Sequence, residues 1–261
     1  HDYSQPLADV ATRAAAERYD LGMMLLNQNN KSDALEAWKN FKKAEEYDPS
    51  YKDVGLKAET AYQAAITLVE VDLLQERLPL FNVQASWLQQ SILWNLETIR
   101  PEHTLLKFTS TQTGTTLPGI PDQKLLLDFT DLRFDPPFTD TYSYERTREV
   151  TLTDAQGNQH VVMVQATVFV TRKAARARTV LRADLRSMTD SRTLLYEMFP
   201  AEYNWRSLTG RFTGDARALT ADDLSIINNI ETPPPSADEL FRMLTEKCTN
   251  DLVFRLRTIY K

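Results

Sequence analysis

The segment Ala64-Ala65-Ile66-Thr67-Leu68-Val69-Glu70-Val71-Asp72-Leu73-Leu74 is where the character of the chain changes. Before it, apolar and small residues recur every three or four positions. From Ile66 onward, Val69, Val71 and Leu73 alternate with polar or acidic positions. A period near 3.6 belongs to a helix and a period of two to a strand, so residues 1–65 read as a helical region and residues 66–261 as a body built on a sheet.

Working back from Ile66, one helix is expected from about Tyr51 to Ala65, with Ala58, Ala61, Tyr62 and Ala65 on one side. A second, capped by Ser32 or Asp33, carries Ala34, Ala37, Trp38, Phe41 and Ala44 and is stopped by Asp48-Pro49. A first, Ala-rich helix runs from Pro6 to the interruption at residues 27–30. Ala37, Phe41, Ala44 and Pro49 stand at the small, aromatic, small and proline spacing of a tetratricopeptide repeat, which this region resembles over about one unit. One repeat cannot bury its own face. With a start at His1 instead of Met, this leads to the expectation of further sequence upstream.

Working forward, a helix fits residues 82–99, with Leu88, Ile92, Leu96 and Ile99 as its stripe, followed by a strand at Thr104–Thr109 and another at Lys124–Phe134. After Pro136-Pro137 come strands at Tyr142–Thr153 and Gln159–Arg172, joined by a turn containing Gly157. Separate strands are expected at Arg176–Ser187 and Ser191–Pro200, then a loop holding Tyr203, Trp205 and Arg206. Thr220 and Asp223 form a capping box for a short helix. Ser236 and Glu239 form another for a final helix at 237–257, striped by Phe241, Leu244, Cys248, Leu252 and Leu256. The fold class is therefore α+β: helices of tetratricopeptide type, then a mixed, mainly antiparallel sheet packed with two helices.

Composition narrows the function. The chain has 261 residues, 30 Lys plus Arg against 36 Asp plus Glu, and a net charge of −6, which does not favour nucleic acid. Its seven glycines have no spacing that gives a phosphate-cradling loop, a dinucleotide fingerprint or a nucleophile elbow. No apolar run approaches the roughly 18 residues that cross a bilayer. Cys248, the only cysteine, falls on an apolar stripe and reads as a core residue. His1, His103 and His160 lack partners at metal or triad spacing. Asp131, Asp135 and Asp140 cluster near two prolines, without calcium-loop spacing. No cofactor and no metal are expected.

The feature with most chemical content is a row of arginines. Arg146 and Arg148 share one side of their strand, and Arg176, Arg178, Arg182 and Arg186 share one side of theirs. If the strands are neighbours, six guanidinium groups face one way, able to hold an anionic partner. The plainer expectation is that Glu145, Glu149, Asp184 and cross-strand neighbours neutralise them. Tyr203, Trp205 and Arg206 have the composition of an interface anchor.

The layout from Ile66 onward, with Thr67–Asp72 as first strand, Trp87–Leu93 in the following helix, and Asp184–Ser191 at the end of a long strand, is similar to bacterial envelope lipoproteins of the curli-secretion and peptidoglycan-synthase-activator type. That resemblance implies a periplasmic or outer-membrane-associated, non-enzymatic adaptor with a protein or anionic glycan or lipid partner, anchored through a lipid upstream of residue 1, and able to form homo-oligomers. The alternative is a small-ligand-binding or hydrolytic enzyme using carboxylates such as Asp131 and Asp135.

Overall fold

The computed structural model describes residues 4–74, 85–111 and 119–260. In chain order these form α1 (Ser4–Leu26), α2 (Lys31–Tyr47), α3 (Val54–Ala65), β1 (Ile66–Leu74), α4 (Ala85–Leu96), β2 (Leu105–Thr109), β3 (Gln123–Thr153), β4 (Gln159–Ser187), β5 (Thr193–Gly214), α5 (Ala221–Ile227) and α6 (Ala237–Ile259). The fold is α+β, with the change from helix to strand at Ala65–Ile66. The expected start of the fourth helix at 82–84 lies outside the described residues.

The three leading helices bury a common core of Ala15, Tyr19, Ala37, Phe41, Ala44, Val54, Ala58 and Ala61. Small residues on α2 and α3 let the helices approach closely, and the Phe41 ring fills the space left between them. Gly22 makes room for that ring: a Cβ there would lie 2.7 Å from the nearest Phe41 ring carbon. The cap of α2 is Asn30, not Ser32 or Asp33. Its side chain accepts from the Asp33 backbone N–H at 2.9 Å, which places Asp33 within the first turn, where its charge complements the helix dipole. Tyr19 donates to Asp53 Oδ1 at 2.5 Å, and this bond pushes its pKa up to about 12.

The sheet runs β2-β1-β3-β4-β5. β1 is parallel to both β2 and β3, with Val69 opposite Phe108 on one side and Gln123 on the other. The remaining strands are joined by short reversals, which make them antiparallel. Asp154 builds the first of these by accepting from the backbone N–H groups of Gln156 at 3.0 Å and Asn158 at 2.8 Å, with Gly157 at φ 88°. At the second, the Ser187 N–H donates to the Arg192 carbonyl at 2.9 Å.

Three pairs of segments expected to be separate elements are single strands of 31, 29 and 22 residues. Pro136-Pro137 do not end β3, because β1 pairs with it only as far as Asp128 and no described strand lies beyond. A missing N–H on an open edge costs no ladder bond, and because successive N–H groups point to opposite edges this accounts for one of the two adjacent prolines. Pro200 is tolerated in β5 for the same reason, since β5 is the outermost strand.

The segments expected as separate strands at Gln159–Arg172 and Arg176–Ser187 are one strand, β4, whose core moves from one face to the other. Val164, Ala166, Val168 and Val170 are buried, and from residue 175 the buried set becomes Ala175, Ala177, Thr179, Leu181, Ala183 and Leu185. Even positions pack under Ala218, Leu219, Ile226 and Ile227, which come from the short 3-10 turn Ala216–Ala218 and from α5. On the odd side, the Cys248 thiol of α6 donates to the Phe199 carbonyl at 3.2 Å.

The chain forms two compact units. One comprises residues 1–130, 181–199 and 247–261, and the other residues 131–180 and 200–246. The helical layer and β1 share the first unit, and each of β3, β4 and β5 contributes to both.

Candidate interaction surface

The second unit is organised around one carboxylate. Thr220 caps α5, and its hydroxyl accepts from the Asp223 N–H at 3.2 Å. Asp223 returns the bond by accepting from the Thr220 N–H at 2.9 Å and hydroxyl at 2.7 Å. This much was legible as a capping box. Nothing in the local pattern signals that the same carboxylate also reaches β3, accepting from Tyr144 Oη at 2.6 Å and from Arg146 Nε at 2.9 Å and Nη2 at 3.1 Å.

Asp223 is fully buried and its oxygens are saturated by five donors. The Arg146 hydrogen bond, with those of Tyr144 and Thr220, outweighs burial and holds its pKa well below the usual carboxylate range. A carboxylate so held has no proton to exchange near neutrality. It fixes the two side chains above it. Burial, then the bond to Asp223, raises the Tyr144 pKa, and Arg146 is held as a cation.

What is held is a stacked series along one face of β3. Side chains two residues apart on a strand share a face. The rings of Tyr142 and Tyr144 stack at 6.3 Å between centroids, and the Arg146 guanidinium lies 4.5 Å from the centre of the Tyr144 ring. Arg148 is next on that face, exposed, and makes no ion pair among the described residues. Glu145 and Glu149, expected to neutralise the row, occupy the alternate positions and face the other way.

The other predicted arginines are each matched to a carboxylate within their own unit. In the second unit, Arg176 pairs with Glu202 at 2.8 Å and Arg178 with Asp131 at 3.5 Å. In the first, Arg182 pairs with Asp128 at 2.7 Å and Arg186 with Asp184 at 2.6 Å. Asp140 is taken by Arg172 at 2.7 Å. Asp131 lies 2.6 Å from Arg133 as well, in a backbone of φ 54° that interrupts the strict alternation of β3. Among the described residues, the cavities lined by Ile99, by Lys31, by Ser207, by Trp38 and by Tyr62 are lined by neither Asp131 nor Asp135.

Tyr203, Trp205 and Arg206 lie within β5, not in a loop. Alternation therefore sends Tyr203 and Trp205 to one face and the exposed Arg206 to the other, where it lines a cavity of about 550 Å³ with Leu208 and Asn229. His160 sits 3.3 Å from the turn carboxylate Asp154, and Cys248 is buried.

No family model matches the sequence, and no curated protein sequence matches it. Among solved structures, the chain is similar to a minor lipoprotein from Acinetobacter baumannii at 7% identity and a TM-score of 0.26, with 74% of this chain and 93% of that one covered. At that score the likeness is distant and bears on neither fold nor mechanism. No helix among the described residues is long and apolar enough to cross a membrane.

Proposed function

We propose that the protein is a non-enzymatic adaptor of the bacterial envelope, periplasmic or associated with the outer membrane, that binds an anionic glycan through the Tyr142–Arg148 face of β3. The observation that carries this reading is the unmatched Arg148 beside a Tyr142–Tyr144–Arg146 stack already fixed by Asp223. An exposed tyrosine ring covers the apolar face of a sugar, and a free guanidinium donates two parallel hydrogen bonds to a carboxylate. Because the stack is ordered before any ligand arrives, little side-chain entropy is lost on binding. The helical layer, with its tetratricopeptide-like spacing, supplies a scaffold for a protein partner.

Co-sedimentation with purified peptidoglycan tests the reading, with vesicles containing phosphatidylglycerol as a second arm. Wild type is expected to pellet with the glycan, and Tyr142→Ala with Arg148→Glu to stay in solution while melting at the wild-type temperature. Equal pelleting of the two proteins, or no pelleting of wild type, removes the reading, and pelleting with vesicles alone replaces the glycan by a lipid surface.

A further inference from the structure

The first unit holds a cavity of about 570 Å³ between the end of α4 and the last turn of α6, a volume typical of small-molecule sites. Its walls are largely apolar. The buried Ile99 and Tyr260 line the cavity together with Pro101. Tyr260 donates its hydroxyl to Gln123 Oε1, so the ring cannot swing out to fill the space.

Two guanidinium groups flank this apolar volume. Arg257 donates through Nη2 to the Thr98 hydroxyl at 3.0 Å, and Arg100 donates to the backbone carbonyls of Glu97 and Ile99, the latter at 3.2 Å. These acceptors are all neutral. Neither arginine has an ion pair among the described residues, and Glu102, the carboxylate among the lining residues, is exposed and pairs with neither. A guanidinium carries five N–H donors, so both keep donors free. Arg176, Arg178, Arg182 and Arg186 on the sheet each meet a carboxylate, whereas these two line an apolar cavity without one among the described residues.

We propose that this cavity binds a single-chain amphiphilic anion: an apolar chain seated against Ile99, Pro101 and Tyr260, with one carboxylate or phosphate head held between Arg100 and Arg257. The head supplies the anionic partner that Glu102 does not provide for the two guanidinium groups, and the chain removes apolar wall from water. This site is separate from the β3 surface, so either assignment can fail without the other.

Calorimetric titration of the full chain below micellar concentrations tests it, using dodecanoate, dodecyl phosphate, dodecanol and inorganic phosphate. Dodecanoate or dodecyl phosphate is expected to bind one per chain, the tighter of the two naming the head. Dodecanol and inorganic phosphate are each expected to bind at least about tenfold more weakly. The double variant Arg100→Gln with Arg257→Gln, which leaves the buried walls intact, is expected to lose about tenfold in affinity for the amphiphile with an unchanged circular dichroism melt. Dodecanol binding as tightly as dodecanoate, full affinity in the double variant, or binding of none of the amphiphiles overturns the proposal.

Discussion

Arg146 and Asp223 lie 77 residues apart in the chain and meet through two hydrogen bonds of 2.9 and 3.1 Å, so that a helix cap and the exposed face of a strand are one construction. The helix cap needs the carboxylate to accept from the Thr220 N–H and hydroxyl, and the strand needs it to fix Tyr144 and Arg146. Replacing Asp223 by Asn keeps the shape but removes the charge and turns one acceptor oxygen into a donor, so at least two of the five hydrogen bonds are lost. It is expected to cost about 2 kcal/mol in urea unfolding, and to disorder the tyrosine stack that Arg148→Glu leaves intact. An unchanged unfolding midpoint would show that the cap does not depend on the ion pair.

Acid provides an independent check of the same group. The Asp223 carboxyl is held below its ordinary range in the fold, chiefly by Arg146, whereas in the unfolded chain it titrates near about 4. Below that pH the unfolded state binds the extra proton, so this contribution is complete above about pH 4 and shrinks as pH falls through the folded value. The stability gap between wild type and Asp223→Asn is therefore expected to be constant from pH 7 to pH 5 and to narrow on further acidification. A gap that widens in acid contradicts the assignment.

Gly22 offers a test in which two effects oppose each other. Alanine in mid-helix gains up to about 1 kcal/mol over glycine, but its Cβ would lie within 2.9 Å of three atoms of the fully buried Phe41 ring. Overpacking of this kind costs about 1–3 kcal/mol, so Gly22→Ala is expected to lower the melting temperature. An increase would mean that the ring relaxes at little cost.

Gly157 and Gly214 separate backbone strain from steric conflict. Both have positive φ, 88° and 101°, but a Cβ on Gly157 meets open space whereas one on Gly214 lies 2.5 Å from the Gln165 carbonyl oxygen. Gly157→Ala is expected to cost about 1 kcal/mol, and Gly214→Ala clearly more, with loss of the adjoining cap at Asp215. Equal costs in denaturant titrations would show that φ alone sets the penalty.

Cys248 is expected to be inert in the native protein. Burial pushes its thiol up to about 11, so little thiolate exists at pH 8 and little reagent can reach it. Reaction with an aromatic disulfide reagent should await unfolding, and rapid modification of the folded protein would contradict the packing of α6.

Much of the architecture was legible because it follows from local pattern. The switch of period at Ile66, the Thr220–Asp223 and Ser236–Glu239 boxes and the stripe of α6 all depend on residues within one or two turns of each other, and the structure keeps them. Strand ends were misplaced because Pro136-Pro137 and the phase shift before Ala175 look like breaks when no neighbouring strand is known. The β3 surface was half visible: alternation put Arg146 and Arg148 together, but nothing local distinguishes the arginine that caps a buried carboxylate from the one left open.

The order of helix and strand, the alternation of faces and the turns at Asp154 and Thr220 were set by the sequence alone, since each is a property of a few adjacent residues with a fixed backbone period. Only the tertiary structure decided that β4 buries opposite faces at its two ends and which carboxylate each arginine meets. Those choices depend on contacts between residues tens of positions apart, where charge and volume are matched across strands and leave no trace in any one of them.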